Sequence, residues 1–399
     1  MLLRLLFKGL KTPAYRQRIS ERLGFIDPIS GSTIWLHCVS VGEFRAAIPL
    51  IDALIKQYPN HKILITSTTP TGSKAILEHY KNAVLHVYFP FDLPFIVKRY
   101  IQKIQPDLCL LLETEIWPNL INTLKKNNIP SLLVNARLSQ RSLQKYQKFV
   151  PKLARKTLNN FTLIATQSQK STQRFIELGI RKNKIITAGN IKFDLNPVAD
   201  KAISDELSVL TGSRKVVVFA STHKGEEQKI IKAYNKNKIE ALLIIVPRHP
   251  ERFNEVYKLA QKHNIKIAKR SDKRYCADCE MLLGDSMGEM MSYFDIADVV
   301  FMGGSLVATG GHNMLEPAAL SKPILFGENV FNFAEIATDL LQKNGAIQAQ
   351  TADELMTEIS MLLNDSTKCD TLGKNANQYF RSQQGAVNNL MQQIQKIYK

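Results

Sequence analysis

The feature that most constrains this chain is a recurring alternation of short, continuously apolar runs with longer amphipathic segments. The first half carries the runs TIWLHCVS, KILITSTT, VLHVYFP, DLCLLLET, PSLLVNAR and FTLIATQS. Their apolar residues are mostly consecutive rather than alternating, which is the pattern of strands covered on both faces of a parallel sheet. Between them, residues such as Ala47, Leu50, Ile51, Leu54 and Ile55 recur at helical spacing. The alternation lapses once, in DLNPVADKAISDELSVLTGS at 194–213, and then restarts with KVVVFAST, ALLIIVPR, MLLGD, ADVVFMGG and PILFGE. Repeated β-α units interrupted once predict an α/β protein of two doubly wound, Rossmann-like domains. At 399 residues the chain is too long for one ordinary core. The expected domains are 1–200 and 201–399, and the pattern leaves open a crossing of the final helix back to the N-terminal domain.

No apolar stretch approaches the roughly 18 residues needed to cross a bilayer. The opening MLLRLLFKGLK is a poor signal peptide, because Arg4 and Lys8 interrupt its apolar residues. An interfacial helix and an ordinary first helix both remain open for it. The five cysteines are scattered. Cys276 and Cys279 form a lone CxxC without a second pair or a histidine at metal spacing, so a reduced chain is expected.

The formal net charge of +18 points to an anionic partner. From Ile116 to Gln173 there is no Asp or Glu, yet Lys125, Lys126, Arg137, Arg141, Lys145, Lys148, Lys152, Arg155, Lys156 and Lys170 all fall there. Such segregation suits phosphates, of lipid or of nucleic acid, while a merely solvated face is the plainer alternative. The stretch lacks interleaved surface aromatics and any recognisable nucleic-acid motif, which argues against DNA or RNA.

In doubly wound sheets, ligands bind beyond the carboxyl ends of the strands. In the second half, VPRHPERF projects Arg248 and His249 from a strand end. GDSMGEM sets Ser286 and Glu289 at capping-box spacing, and MGGSLVATGGHNMLEPAA does the same with Asn313 and Glu316 after a glycine-rich loop. Helix starts with free N–H groups attract anions, so a nucleotide or sugar-phosphate site is expected there. In the first half, Glu43 opens a helix, where capping would be reason enough for it. Glu113 and Glu115 emerge from a run of leucines, at a rim where burial tunes acidity. Lys192 of GNIKFD lies near the domain junction, placed to meet developing negative charge or simply to be solvated.

Ten motifs in order, VSVGE, TSTTPTGS, FPFDLP, ETEIWPNL, NARLSQRS, GNIKFD, ASTHKGEE, VPRHPERF, GDSMGEM and GGSLVATGGHNMLEPAA, make the chain resemble the 3-deoxy-D-manno-octulosonic acid (Kdo) transferase family. The resemblance runs from about KTPAYRQRISERLGF to the C-terminus. It implies a GT-B glycosyltransferase of lipopolysaccharide assembly in Gram-negative bacteria, with two Rossmann-like domains facing a central cleft. The implied donor is CMP-Kdo, and the implied acceptor is the 6′-hydroxyl of the tetra-acylated lipid A precursor, lipid IVA. Inversion at the anomeric centre, no bound metal and no other cofactor are further implications. By position, Glu43 matches the general base, and Glu113 and Lys192 match transition-state stabilisers. Arg248 and His249, Met287, Gly288 and Glu289, and Asn313, Met314, Leu315 and Glu316 match the CMP-binding segments. The family works at the cytoplasmic face of the inner membrane, an anionic surface, usually behind a longer apolar N-terminal segment than MLLRLLFKGL. Another GT-B nucleotide-sugar enzyme is the nearest alternative, and a non-catalytic polyanion-binding protein is the alternative of another class.

Overall fold

The computed structural model describes residues 13–274 and 277–398. The opening apolar segment and Cys276 of the CxxC pair lie outside the described residues. Cys38, Cys109 and Cys369 are free thiols. Cys279 is disulfide-bonded, against the reduced state that its sequence context suggests.

The chain divides into two compact units. One runs through Leu195 and resumes at Gln383; the other spans Asn196–Ser382. The first holds seven strands: β1 (Thr33–His37), β2 (Lys62–Ser67), β3 (Leu85–Tyr88), β4 (Leu108–Leu112), β5 (Ser131–Ala136), β6 (Leu163–Thr166) and β7 (Ile185–Thr187). They pair in parallel in the order β3-β2-β1-β4-β5-β6-β7. Consecutive apolar residues in these strands serve opposite faces. Leu108, Leu110 and Leu112 join the core containing Ile34, Leu36, Leu50 and Ile65. Cys109 and Leu111 join the other core, with Trp35, Tyr100 and Leu133. Helices on both faces thus explain why β4 alternates so little in polarity.

The strand order reverses its sense between β1 and β4, where His37 lies opposite Leu111. Connections leaving these two strands go to opposite faces, which opens a crevice at their carboxyl ends. The final helix, Ala386–Ile397, completes this unit and adds Ala386, Val387, Leu390, Met391 and Ile394 to its core. Its start is fixed by Asp194, whose carboxylate accepts the N–H groups of Gly385 and Val387 at 2.6 Å each. Gly189, at φ +99°, lets the chain pass beneath this helix, since a Cβ there would stand 3.1 Å from that of Ala386.

The second unit repeats the plan with β8 (Val216–Thr222), β9 (Leu242–Pro247), β10 (Ile267–Lys269), β11 (Met281–Leu283), β12 (Val299–Met302), β13 (Ile324–Phe326) and β14 (Ala346–Gln348). All are parallel, in the order β10-β11-β9-β8-β12-β13-β14, and the sense reverses between β8 and β12. The interval at 194–213 is largely helix, Lys201–Thr211, and Asp200 caps it by accepting from the N–H groups of Ala202 and Ile203. Among the described residues no helix is long and apolar enough to cross a membrane.

Candidate active site

In the first unit, the crevice between β1 and β4 gathers acids. Glu43 occupies the first turn of the helix Val41–Gln57, and its Oε2 accepts from the N–H of Val39 at 2.7 Å. The bond reaches one residue beyond a capping box, to the N–H just before the N-cap Ser40, whose own side chain makes no capping bond. One carboxylate oxygen is therefore anchored, which fixes the orientation of the group. A helix start would ordinarily hold a carboxyl acidic. Here burial dominates and pushes Glu43 up to about 8; Glu113 adds to the rise, the Val39 N–H opposes it, Glu115 raises it further and Lys192 lowers it.

Glu113 follows β4 directly, in the left-handed region at φ +55°. Its N–H bonds to the carbonyl of Val134 and its Oε1 receives the Lys192 ammonium at 3.0 Å. Lys192 rides on the short 3-10 turn Ile191–Asp194, which Asn190 caps and whose first N–H donates to the buried Asn135 side chain at 3.2 Å. The structure thus pairs Glu113 with Lys192 across the sequence, and the charges of both act on Glu43 at the same sheet edge. Glu115 lies beside it and accepts from the Trp117 indole N–H at 2.8 Å. Burial lifts Glu115 to about 7, opposed by Trp117 and aided by Glu113. Buried His37, pushed down to about 3 by desolvation, stands 3.9 Å from Glu115 and is neutral.

The second unit gathers cations and polar groups at its own switch point. Arg248 and His249 leave β9 exposed, and the Arg248 N–H is held by the carbonyl of Thr222. The Arg248 charge reaches His223 after β8 and His312 after the glycine-rich loop. Burial and then Arg248 push His312 down to about 4. His223 and His312 stack with their rings 5.0 Å apart and their Nε2 atoms at 2.7 Å, so one donates and the other accepts. Glu289 accepts from Ser286 at 2.6 Å and from the buried Arg270 at 3.2 Å. Arg270 also donates to Glu206 at 2.6 Å, which locks the Glu289 carboxylate from behind.

Two readings of this half change. The helix after GDSMGEM is Met290–Ile296 with Glu289 at its N-cap, so Ser286 bonds the carboxylate and forms no capping box. The last segment begins its helix at Leu315, one residue after the N-cap Met314; Asn313 bonds the Leu315 N–H at 3.3 Å and the Glu316 carboxylate at 3.2 Å. The glycine-rich loop is anchored from within. The N–H groups of Gly304, Ser305 and Leu306 do not stand free for an anion. They donate inward, at 2.7, 3.1 and 2.9 Å, to the buried Glu226 carboxylate, which also takes the His223 N–H at 3.1 Å. These three backbone groups are thus committed to Glu226, while the Arg248 and His249 side chains at the neighbouring strand end are exposed.

The 3-Deoxy-D-manno-octulosonic-acid transferase (kdotransferase) family model matches residues 17–195, and the group 1 glycosyl transferase model matches 215–379. The chain is 39% identical to a 3-deoxy-D-manno-octulosonic acid transferase of Haemophilus influenzae, over 96% of this chain and 92% of that one. It belongs to the Kdo transferase family. A transferase of the same name from Rickettsia felis is 34% identical over 92% of this chain and 79% of its own. Solved structures agree on the fold. The UDP-GlcNAc 2-epimerase of Neisseria meningitidis superposes with a TM-score of 0.62 at 14% identity, covering 92% of this chain and all of that one. A glycosyltransferase from Rickettsia africae gives 0.61 at 15% identity, covering 93% and 98%. The architecture is GT-B, and the protein is a glycosyltransferase.

In this Kdo transferase, every site residue read from the sequence lies beyond a strand's carboxyl end, in the connecting loop or in the first turn of the helix that follows. Glu43, Glu113 and Lys192 meet in the first unit. Arg248, His249, Glu289, Asn313 and Glu316 line the strand ends of the second, with Met287 exposed, Gly288 in the left-handed region, and Met314 and Leu315 buried as the base of the last segment. Sequence reading passed over Glu226 and Glu227, although both stand in the quoted ASTHKGEE. Acids at a helix start look like ordinary partners of its dipole. Instead Glu226 braces the loop, and Glu227 binds Arg252 through both oxygens at 2.7 and 3.0 Å. Asn135, Arg270 and the His223–His312 pair were likewise missed, because their roles depend on partners distant in sequence. Among the described residues, no group of three or more His, Cys, Asp or Glu side chains is arranged to hold a metal ion.

Proposed function

We propose that this transferase moves Kdo from CMP-Kdo to the 6′-hydroxyl of the lipid A precursor, lipid IVA, in lipopolysaccharide assembly. The observation that carries this reading is the Glu43 carboxyl. It is anchored through one oxygen, lifted to about 8, and set beside the Lys192–Glu113 pair. A carboxylate so raised is a far stronger base than an ordinary one, which suits removal of a proton from a sugar alcohol. As the hydroxyl oxygen bonds to the anomeric carbon of Kdo, its proton passes to Glu43 and the carbon–oxygen bond to the CMP phosphate breaks. Attack opposite the departing CMP inverts the anomeric centre. Lys192, steadied by Glu113, supplies positive charge for the negative charge that develops.

CMP departs as a monophosphate ester that already carries its charge, so cationic side chains can do what a divalent ion does for a diphosphate donor; metal independence belongs to the proposal. Arg248 and His249 receive the phosphate, Glu289 takes the ribose hydroxyls, and the segment Asn313–Glu316 completes the nucleotide site. The working position is the cytoplasmic face of the inner membrane. Incubation with CMP-Kdo and lipid IVA, read by mass spectrometry with and without chelator, tests this: an added Kdo mass under both conditions supports it. Absence of the product, or its loss in Glu43-intact enzyme on chelation alone, overturns the corresponding part.

A further inference from the structure

The connection from β5 to β6 is made of two helices, Gln140–Phe149 and Pro151–Asn160. The first is capped by Ser139 and buries only Leu143 fully. The second buries Ala154, Thr157 and Leu158. Pro151, which has no N–H to continue a helix, sets the break, and Val150 at the corner serves as the end of one helix and the start of the next. A solvent-facing corner of this kind would ordinarily be polar. Here Phe149, Val150 and Leu153 are exposed by 70%, 40% and 51%.

A fringe of cations surrounds them. Arg141, Lys145, Lys148, Lys152 and Lys156 are all exposed, and none pairs with a carboxylate among the described residues. The Lys148 ammonium lies 5.5 Å from the centre of the Phe149 ring. No acid occurs between Ile116 and Gln173 to soften the field. The corner also belongs to the reaction edge. Tyr146, one turn before Phe149, packs into the core and feels the charge of Glu115. At the foot of the same helix, the Arg137 N–H bonds to the Glu113 carbonyl at 3.4 Å.

We propose that the Phe149–Leu153 corner, with its lysine fringe, is a docking element that inserts into an anionic lipid bilayer beside the acceptor side of the site. Aromatic and aliphatic side chains enter the boundary between headgroups and acyl chains while lysines stay among lipid phosphates, the division of labour of interfacial anchors. A nucleic-acid partner would call for aromatics spread along the basic face as stacking platforms, whereas here one exposed aromatic, Phe149, sits with the aliphatic Val150 and Leu153 at a single tip. The inference rests on the lipid-borne acceptor of the proposed function, and its purpose is to hold the Glu43 end of the crevice at headgroup depth.

The test uses the full chain and vesicles of phosphatidylcholine with and without phosphatidylglycerol. Sedimentation with anionic vesicles is expected, weakening as salt rises to about 0.5 M. The double variant Phe149→Ser/Leu153→Ser should bind at least about tenfold more weakly, and Lys148→Glu/Lys152→Glu about tenfold or more. Both should retain turnover of acceptor dispersed in detergent. Phe149→Trp reports insertion directly: brominated lipid should quench the introduced tryptophan beyond the wild-type background of Trp35 and Trp117. Wild-type binding by both double variants, no added quenching, or displacement from vesicles by RNA at equal charge would overturn the proposal. Failure of wild-type enzyme to transfer Kdo would instead strike the proposed function and leave the vesicle result standing.

Discussion

The Lys192 ammonium and the Glu113 carboxylate meet at 3.0 Å across 79 residues of sequence, and both act on Glu43 with opposite sign. Burial sets most of the rise of the Glu43 carboxyl; on top of it Glu113 raises the group and Lys192 lowers it, so the pair tunes the basicity of the proposed base. The base must be ionised, and its folded value is about 8. The kcat/KM of wild-type enzyme should therefore climb with pH and level off above about 8. Glu113→Gln should move that acid limb to lower pH, and Lys192→Ala to higher pH, each with loss of maximal rate of about a hundredfold or more. A pH profile of the three enzymes with saturating CMP-Kdo decides it; identical limbs would remove Glu43 from the role.

The same raised carboxyl has a consequence for stability. An unfolded Glu43 ionises near the ordinary glutamate value, 4.5, while the folded one does so near 8. Between those values the folded state binds the proton more tightly, so Glu43 favours folding fully below about 4.5 and loses that contribution as pH rises to 8. Glu43→Gln keeps the shape and removes the titration. The variant should be inactive yet melt higher than wild type at pH 9, with little difference at pH 5. Thermal denaturation at the two pH values is the measurement, and an equal difference at both would contradict the cause assigned here.

Glu226 makes a separate prediction. Its buried carboxylate satisfies four backbone N–H groups, three of them in the loop that follows β12. Glu226→Ala strands these donors and should cost about 3 kcal/mol or more. Glu226→Gln retains acceptor capacity at one oxygen but turns an amide donor toward N–H groups, so it should fall between. Chemical denaturation of the three proteins gives the order, and donor KM should rise in parallel because His312 lies at the end of the same loop.

Much of the fold was legible because buried parallel strands leave a coarse, nearly one-dimensional signal. Leu108–Leu112 must be covered on both sides whatever its neighbours are. The site was legible where a motif places a residue directly at a strand end, as with Glu113 and Arg248, or in the first turn of the next helix, as with Glu43. It was illegible where a local rule gave a sufficient explanation and a distant partner supplied the true one. Ser286 and Glu289 fit a capping box by spacing, but Arg270 competes for the carboxylate and the helix starts at Met290, three residues later than that spacing requires. The start of the loop after β12 gives no local sign of its anchor, because Glu226, whose carboxylate takes the N–H groups of Gly304, Ser305 and Leu306, stands 78 residues before Gly304.

Arg270 is buried between two acids and donates to Glu289 at 3.2 Å. Arg270→Met should free the Glu289 side chain and raise the KM for CMP-Kdo about tenfold while leaving kcat nearly unchanged, since the reacting bond is not its contact. Arg248→Ala should also raise donor KM, and its effect should shrink at high salt, because an exposed cation works through a screened field. Steady-state kinetics at two ionic strengths separates the two residues. A salt-sensitive Arg270 variant or a salt-insensitive Arg248 variant would reverse the assignment.

Asp194 ties the last helix to the first unit. Both of its oxygens cap the helix start, and the helix packs into the core that holds Leu50 and Leu54 of the Val41–Gln57 helix and Ile63 of β2. Asp194→Ala should destabilise this unit by about 1–2 kcal/mol, the cost of a lost N-cap, and more if the helix detaches. Asp194→Asn keeps an acceptor and should recover part of it. The lysine of the reaction edge is two residues away on the same turn, so a loosened helix should also lower kcat before the protein melts. Activity followed through a thermal ramp, beside amide exchange at Val387 and Asn389, distinguishes local detachment from global unfolding. Exchange rates at these two amides unchanged from wild type would show that the carboxylate is not what holds the helix.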